Sequence, residues 1–490
     1  MTAIATDYEV VIGLEVHCQL KTASKMFCGC SADYAGAEPN THVCPVCLGM
    51  PGVLPVINEK AIEGIVLTGL ALNCTIAPFS KFDRKNYPYP DLMKGYQISQ
   101  YDLPICRDGW LEIEVEGARR RIGITRVHME EDTARLLHRV DPVTGEAYSL
   151  IDVNRSGTPL MEIVSEPDIR SAAEAREYLV RLRQVLRYIG VSDANMEEGN
   201  FRCDANISVR RKGETAFGTK VEIKNMNSFR AVERALTYEA ERQFQEFLET
   251  GHRLGDVPKQ TRGWDEDAEI TRPQRTKEES SDYRYFPEPD LVPVVVTDAE
   301  IEAIRQSLGE LPAQLRDRLE ADYGITPYDS DVIVSQGRAF TSYFERLASL
   351  CGEGKLAANW LQQEVLRVLN ERQISIEAFP ISPECLGELL CMVRDRRLDH
   401  RRAREVFARM LSTGQSAAEA VAALGFVEVS EEEIEALCRR LVAENPKTVA
   451  DVKAGKIKAV GGLVGQAKKI NPHVDPAKVR EYCLRLISQA

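Results

Sequence analysis

The alternating run VVIGLEVHCQL puts Val10, Ile12, Leu14, Val16 and Cys18 on one side of a strand and Glu15, His17 and Gln19 on the other. A carboxylate and an imidazole, both able to hold a metal ion, thus stand side by side. RCDANISVR repeats the pattern, with Arg202, Asp204, Asn206 and Ser208 opposite Cys203, Ala205, Ile207 and Val209. TKVEIKN sets Lys220, Glu222 and Lys224 against Val221 and Ile223, and ITRVHMEED brings His128, Glu130, Glu131 and Asp132 to the end of another strand. An antiparallel sheet often has one solvated face, which would account for any single strand. Carboxylates, imidazoles and cations gathered on one shared sheet would instead suit Mg²⁺ or Mn²⁺, ions that bridge nucleotide phosphates. ATP chemistry is implied, yet no GxxxxGK[ST] occurs, so a P-loop is the wrong template. Gly461, Gly462 and Gly465 lack the rest of that spacing and read as turn and close-packing residues.

Two further groups carry chemistry. Cys28 and Cys30 are followed by Cys44 and Cys47 in CPVCLG, two close thiol pairs that match a closed, structural four-thiolate zinc site. His42 and Cys18 are nearby substitutes. The stretch SKFDRKNYPYPDLMKGYQISQYD interleaves Lys81, Arg84, Lys85 and Lys94 with Tyr87, Tyr89, Tyr96 and Tyr101. Cations among stacking rings suit a phosphate-bearing substrate or an unpaired nucleic-acid end, and equally a surface loop whose tyrosines seal a sheet edge.

The elements that must position these residues fall into regions. To about Val296 the pattern is strands and loops with helical stretches such as Ser171 to Tyr188, an α+β signature. From Asp298 onward it is helical: Trp360, Leu361, Val365, Leu366, Val368 and Leu369 recur at helix spacing, as do Leu386, Leu389, Leu390 and Val393. Ser430 and Glu433 have capping-box spacing ahead of Leu437 and Leu441, and a last boundary is expected between Leu411 and Gly414. Gly263 to Pro289, rich in charge and proline, reads as a linker whose aromatics exceed what a spacer needs. Cys351, Cys385, Cys391 and Cys438 sit in apolar helical patterns as core residues.

At 490 residues and 44% hydrophobic content the chain has room for about three domains. Its start lacks the pattern of a secretory signal and no apolar run is long enough to span a bilayer, so the expected setting is the cytoplasm, without membrane contact. The 13 cysteines, odd in number and scattered, do not form a disulfide framework. The net charge of −13 excludes a chain that coats nucleic acid over its whole surface. Local basic sites are still allowed: between Asn445 and Ala490 nine cations face three carboxylates.

The segments VIGLEVHCQL, KFDRKNYPYPD, GYQISQYD, RVHMEEDTARL, DVNRSGTPLMEIVSEPD, MEEGNFRCDANISVR, EIKNMNSF and DYRYFPEPDL together resemble the B-subunit family of tRNA-dependent amidotransferases, the GatB/GatE family. They span Val11 to Leu291, and the absence of an inserted domain argues against the archaeal E-type branch. The resemblance implies a cradle over residues 1–296, with an antiparallel sheet similar to glutamine synthetases and guanidino kinases and a zinc knuckle at 28–47. An all-α domain over 297–411 and a YqeY-like tail over 412–490 would follow. It implies that Glu15, His17 and Glu131 hold Mg²⁺ or Mn²⁺, and that Lys85, Glu130 and Asp204 are catalytic. Lys85, Arg84, Asn154 and Arg155 would contact ATP, and Lys453, Lys456, Lys458, Lys468 and Lys469 would meet tRNA.

The implied reaction is activation of the side-chain carboxylate of misacylated Glu-tRNA(Gln) or Asp-tRNA(Asn) as an acyl phosphate, then amidation. The chain shows no Gly/Ser-rich amidase signature, so ammonia would come from glutamine in a partner A subunit, joined by a small C subunit. Two rivals are a non-catalytic tRNA-binding scaffold, which has no use for the His and carboxylate face, and a zinc hydrolase, which needs an open ligand position that four cysteines deny.

Overall fold

The structure, a computed structural model, describes residues 7–252, 256, 259–274, 283–426, 431–471 and 474–489. Ser430 of the expected capping box lies outside them, as do Ser281 and Asp282 of the aromatic stretch. The chain divides into two compact units, Met1–Leu315 and Arg316–Ala490.

The first unit is built on a nine-stranded sheet. Its strands are β1 (Tyr8–Gln19), β2 (Thr75–Ile76), β3 (Cys106–Val115), β4 (Ala118–Glu131), β5 (Pro159–Ser165), β6 (Phe201–Arg211), β7 (Val221–Met226), β8 (Gln260–Asp265) and β9 (Ile270–Pro273). They lie in the order β9-β8-β7-β6-β1-β5-β4-β3-β2. All neighbours are antiparallel except β7 and β8. Gly263 to Asp265 and Ile270 to Pro273 therefore extend the sheet, so the expected linker is in part an edge of it.

Period-two alternation decides what each face does. Ile12, Leu14, Val16 and Cys18 are fully buried and share one core with Ala205, Ile207, Val127, Met129, Met161 and Ile163. Helices α1 (Glu59–Ala71), α2 (Ala172–Tyr188) and α3 (Phe229–Thr250) cover that face with Ile65, Leu179, Leu182, Val232 and Leu236. Each helix is begun by a side-chain cap, from Asn58, Ser171 and Ser228, that satisfies backbone donors its first turn leaves open. The opposite face of the sheet carries the polar side chains, with a few apolar ones such as Val11, Leu160 and Val164 among them.

The helix Asp298–Leu308 belongs to this first unit, not to the helical region that follows. Ile301, Ile304 and Leu308 pack into the sheet core, which outweighs the change of pattern at residue 297. The second unit is helical throughout its described residues. Leu361, Val365, Leu386, Leu389 and Leu390 are buried on the faces their spacing requires. Cys351 and Cys438 are buried, Cys385 and Cys391 half-buried. From Ile434 onward the chain has a separate small core that includes Leu441, Val460, Leu463 and Ile487. The helix Ala417–Ala423 packs instead against Pro383–Arg394 and His400–Thr413. Among the described residues no helix is long and apolar enough to cross a membrane.

Candidate active site

Strand register builds the site. On the polar face His17 of β1 lies opposite Glu162 of β5, Glu162 opposite His128 of β4, and Arg202 of β6 on the other side of His17. Four side chains from four strands therefore form one row. The Glu162 carboxylate is 3.5 Å from His17 Nε2 and 3.3 Å from His128 Nε2, and Glu130, two residues beyond His128, is 3.6 Å from the same His128 nitrogen. His17, Glu130 and Glu162 each offer a ligand atom within 4.8 Å of the others. Two carboxylates and one imidazole, without thiolate, fit Mg²⁺ or Mn²⁺.

A short hairpin of Asp83–Asn86 and Tyr96–Ser99 grips the end of β4. Ser99 Oγ and Gln97 Nε2 donate to Glu130 at 2.8 and 3.1 Å, and Lys85 Nζ is 3.7 Å from it. Burial opposes the Glu130 charge, but Lys85 and His128 bring its pKa down to about 2. Burial also opposes charge on His128, and Glu162 and Glu130 overcome it, pushing its pKa up to about 9. Lys85 and His17 are raised in the same way, by Glu130 and Glu162 respectively. Glu162 is held well below the usual carboxylate range by the two imidazoles despite its burial. The site thus keeps two carboxylates ionised beside a charged lysine, a charge pattern that suits a divalent cation.

The expected residues are not all brought together. Glu15 shares the polar face but lies one step along β1, where Asn206 Nδ2 donates to it at 2.9 Å. Glu131 alternates to the other side of β4, where it pairs with Lys94 and accepts from the Ile98 amide at 3.0 Å. The set that converges is therefore His17, Glu130 and Glu162, in place of Glu15, His17 and Glu131. Asp204 pairs with Lys224, beside Glu15. Arg84 is bound by Glu288 at 2.6 and 2.8 Å and by Asp290 at 3.1 Å, with Tyr96 beneath it. Arg155 donates to the Thr133 and Ala134 carbonyls at 2.9 and 2.8 Å, and Asn154 accepts from the His42 amide and donates to the Glu38 carbonyl, both at 2.8 Å. Arg84, Asn154 and Arg155 thus fasten loops around the row. Glu162 is absent from the set expected of the sequence, although Met161 and Ile163 facing the core leave it alone on the polar side.

Cys28, Cys30, Cys44 and Cys47 converge, their sulfurs all within 4.8 Å of one another. This donor set fits a closed tetrahedral zinc site. A hydrogen bond from Cys28 lowers the Cys47 pKa to about 5 against the effect of burial, and Lys25 adds to the shift. Lys25 is fully buried, its ammonium donating to the His42 carbonyl at 2.8 Å. Gly157, at φ +82°, makes the tight turn that carries Asn154 and Arg155 into β5. Its amide donates to Asp132, whose carboxylate accepts from Gln19 at 2.7 Å and Arg202 at 3.0 Å.

Comparison with known proteins decides which family folds this way. Residues 10–302 match the family described as the GatB/GatE catalytic domain, and residues 342–487 match the GatB domain. The chain belongs to the GatB family. Three relatives are each named as the B subunit of an aspartyl/glutamyl-tRNA(Asn/Gln) amidotransferase. The relative from Rhodopirellula baltica is 52% identical over 98% of this chain and 97% of its own length. That from Thermomicrobium roseum is 52% identical over 99% of both. That from Caldanaerobacter subterraneus is 51% identical over 97% of this chain and 99% of its own. The GatB catalytic-domain match contains the whole row and all four clustered cysteines, and the GatB domain match covers residues 342–487 of the helical second unit. This GatB chain is accordingly a B subunit, part of a multi-subunit amidotransferase.

Proposed function

We propose that the polar row activates the side-chain carboxylate of Glu-tRNA(Gln) or Asp-tRNA(Asn) with ATP, for amidation by ammonia released from glutamine in an A subunit that a small C subunit joins to this chain. The reading places that assembly in the cytoplasm. The observation that carries it is the convergence of His17, Glu130 and Glu162 from three neighbouring strands beside Lys85. A non-catalytic scaffold needs none of this.

A second feature supports a nucleotide. Along the same face, Val11, Gly13, Val164, Ser208, Phe217 and Lys220 line a cavity of about 240 Å³. Gly13 lies four residues from His17, roughly 13 Å at a strand's rise, a span a nucleoside triphosphate covers with its base at Phe217 and its γ-phosphate at the row. Mg²⁺ or Mn²⁺ held by His17, Glu130 and Glu162 would supply charge neutralisation on the phosphates. Lys85, kept charged by Glu130, would stabilise the phosphoryl group in transfer.

A carboxylate oxygen of the aminoacyl group attacks the γ-phosphorus, the bond to the β-phosphate oxygen breaks, and ADP leaves. Ammonia then attacks the acyl carbon, phosphate departs with the C–O bond electrons, and nitrogen loses a proton. Asp204, paired with Lys224, borders the phosphate path beside Glu15. The clustered cysteines would hold zinc as a structural brace. Lys453, Lys456, Lys458, Lys468 and Lys469, exposed on the tail, would meet the body of the tRNA.

The test is the complete complex with misacylated tRNA, ATP and glutamine. Glu162→Gln is expected to abolish tRNA-dependent ADP and amide formation while glutamine hydrolysis persists. Amide formation at the normal rate would reject the reading.

A further inference from the structure

Neighbouring residues on a strand face opposite ways, and in the hairpin strand Asp83–Asn86 this separates two cations. Arg84 turns to Glu288 and Asp290, whereas Lys85 turns to the row. The Lys85 ammonium stands 3.7 Å from Glu130, beyond hydrogen-bond length, and among the described residues it donates to no acceptor. Its close neighbour is a ring: Lys85 Nζ lies 5.2 Å from the centre of Tyr283, within the range of a cation–π contact. Tyr87 and Tyr285 meet the Tyr283 ring edge-on, 5.8 and 6.1 Å between centres, and hold it in place. Tyr283 belongs to a later segment that the hairpin clasps. Phe286 and Pro287 pair with Arg84 and Asp83, the Glu288 amide donates to the Phe82 carbonyl at 2.9 Å, and Asn86 Nδ2 donates to the Arg284 carbonyl at 2.9 Å. Tyr285 is stacked on Tyr101, with ring centres 4.4 Å apart. Between the two tyrosines Arg284 takes a φ of +46°, a left-handed conformation that costs free energy in an arginine, so these contacts keep the chain bent at that point.

From this we infer that Tyr283 is a positioning residue for phosphoryl transfer, its ring face holding the Lys85 ammonium beside the row with its N–H groups open to phosphate oxygens. The inference rests on the reading proposed above. A ring face attracts a cation through its quadrupole and occupies none of its donors. A carboxylate in that place would occupy them, as Asp204 and Glu222 do for Lys224. Lysine is a point charge on a flexible four-carbon stem. Without the Tyr283 wall the ammonium is free to close its 3.7 Å gap to Glu130, which diverts the lysine from phosphate and the carboxylate from a divalent ion. The ring holds the lysine, and the tyrosine hydroxyl has no part in it.

The experiment uses the full complex with misacylated tRNA, ATP and glutamine, read as amide formed in steady state and in a single turnover. Tyr283→Leu is expected to lower kcat ~10-fold with the KM for misacylated tRNA unchanged. Tyr283→Phe, which keeps the ring face, is expected to stay within about twofold of the unmodified complex. Adding Tyr283→Leu to Lys85→Met should slow single-turnover amide formation no further, because the ring then has no ammonium to hold. An unchanged kcat in Tyr283→Leu would overturn the inference, as would a loss in Tyr283→Phe as large as that in Tyr283→Leu. So would the same ~10-fold loss repeated on Lys85→Met, the mark of a purely structural role. Failure of the underlying reading is a different result, namely amide formed at the normal rate by Lys85→Met.

Discussion

The imidazole and carboxylate row and the cysteine cluster can both hold a metal ion, yet they are assembled in opposite ways. The cysteines come from one stretch of twenty residues, Cys28 to Cys47, and four thiols leave no open position. The histidine and carboxylate part of the row draws His17, His128, Glu130 and Glu162 from three strands far apart in sequence, beside Lys85. A local, closed site braces a loop, whereas a long-range, open site whose ligands are held by sheet register can admit substrate. The two are joined through Asn154, which ties the cysteine loop to the turn entering β5, the strand of Glu162.

The contrast sets the order of expected effects. Glu130→Gln removes a proposed ligand and the partner of Lys85, and should lower amide formation at least ~100-fold with the fold intact. Steady-state rates with circular dichroism check it, and a loss under tenfold would break the comparison. With zinc held by the cysteine cluster, as proposed, Cys44→Ser should release it and lower the melting temperature by several degrees, roughly 2 °C per kcal/mol for a unit of this size, with a much smaller change in turnover per folded complex. Metal analysis beside calorimetry measures both, and zinc still present in the variant would contradict it. Asn154→Ala leaves the His42 amide and Glu38 carbonyl without their partner and should cost about 1–3 kcal/mol of stability, while the KM for ATP stays near normal. A large rise in that KM would return Asn154 to the nucleotide. Least of all, replacing Lys453, Lys456 and Lys458 with Ala should reduce the salt dependence of tRNA binding by about two in log–log slope and leave ATP hydrolysis unaltered, as a salt titration of tRNA affinity would show.

Much of this was legible in the sequence because alternation is a local signal. Val10 to Cys18 announced both the buried and the polar face of β1, and the cysteine pairs announced their own cluster. What alternation cannot give is register between distant strands. Glu162 joined the row only because β5 pairs with both β1 and β4, and Glu131 left it because adjacent residues on a strand face opposite ways. The resemblance implies that Arg84, Asn154 and Arg155 contact ATP, yet their partners, Glu288, Glu38 and Thr133, lie on loops whose approach no local pattern encodes. The region boundary moved past residue 297 for a related reason: Ile301, Ile304 and Leu308 are helical in pattern but find their core in the sheet unit.

Everything proposed for the row depends on its ligand set, and Mn²⁺ binding followed by electron paramagnetic resonance tests that set directly. The purified chain is titrated with Mn²⁺ as wild type, Glu162→Gln and Glu131→Ala. If His17, Glu130 and Glu162 hold the ion, Glu162→Gln weakens binding at least ~10-fold and Glu131→Ala leaves it near the wild-type value. Strong binding retained in Glu162→Gln and lost in Glu131→Ala would contradict that set.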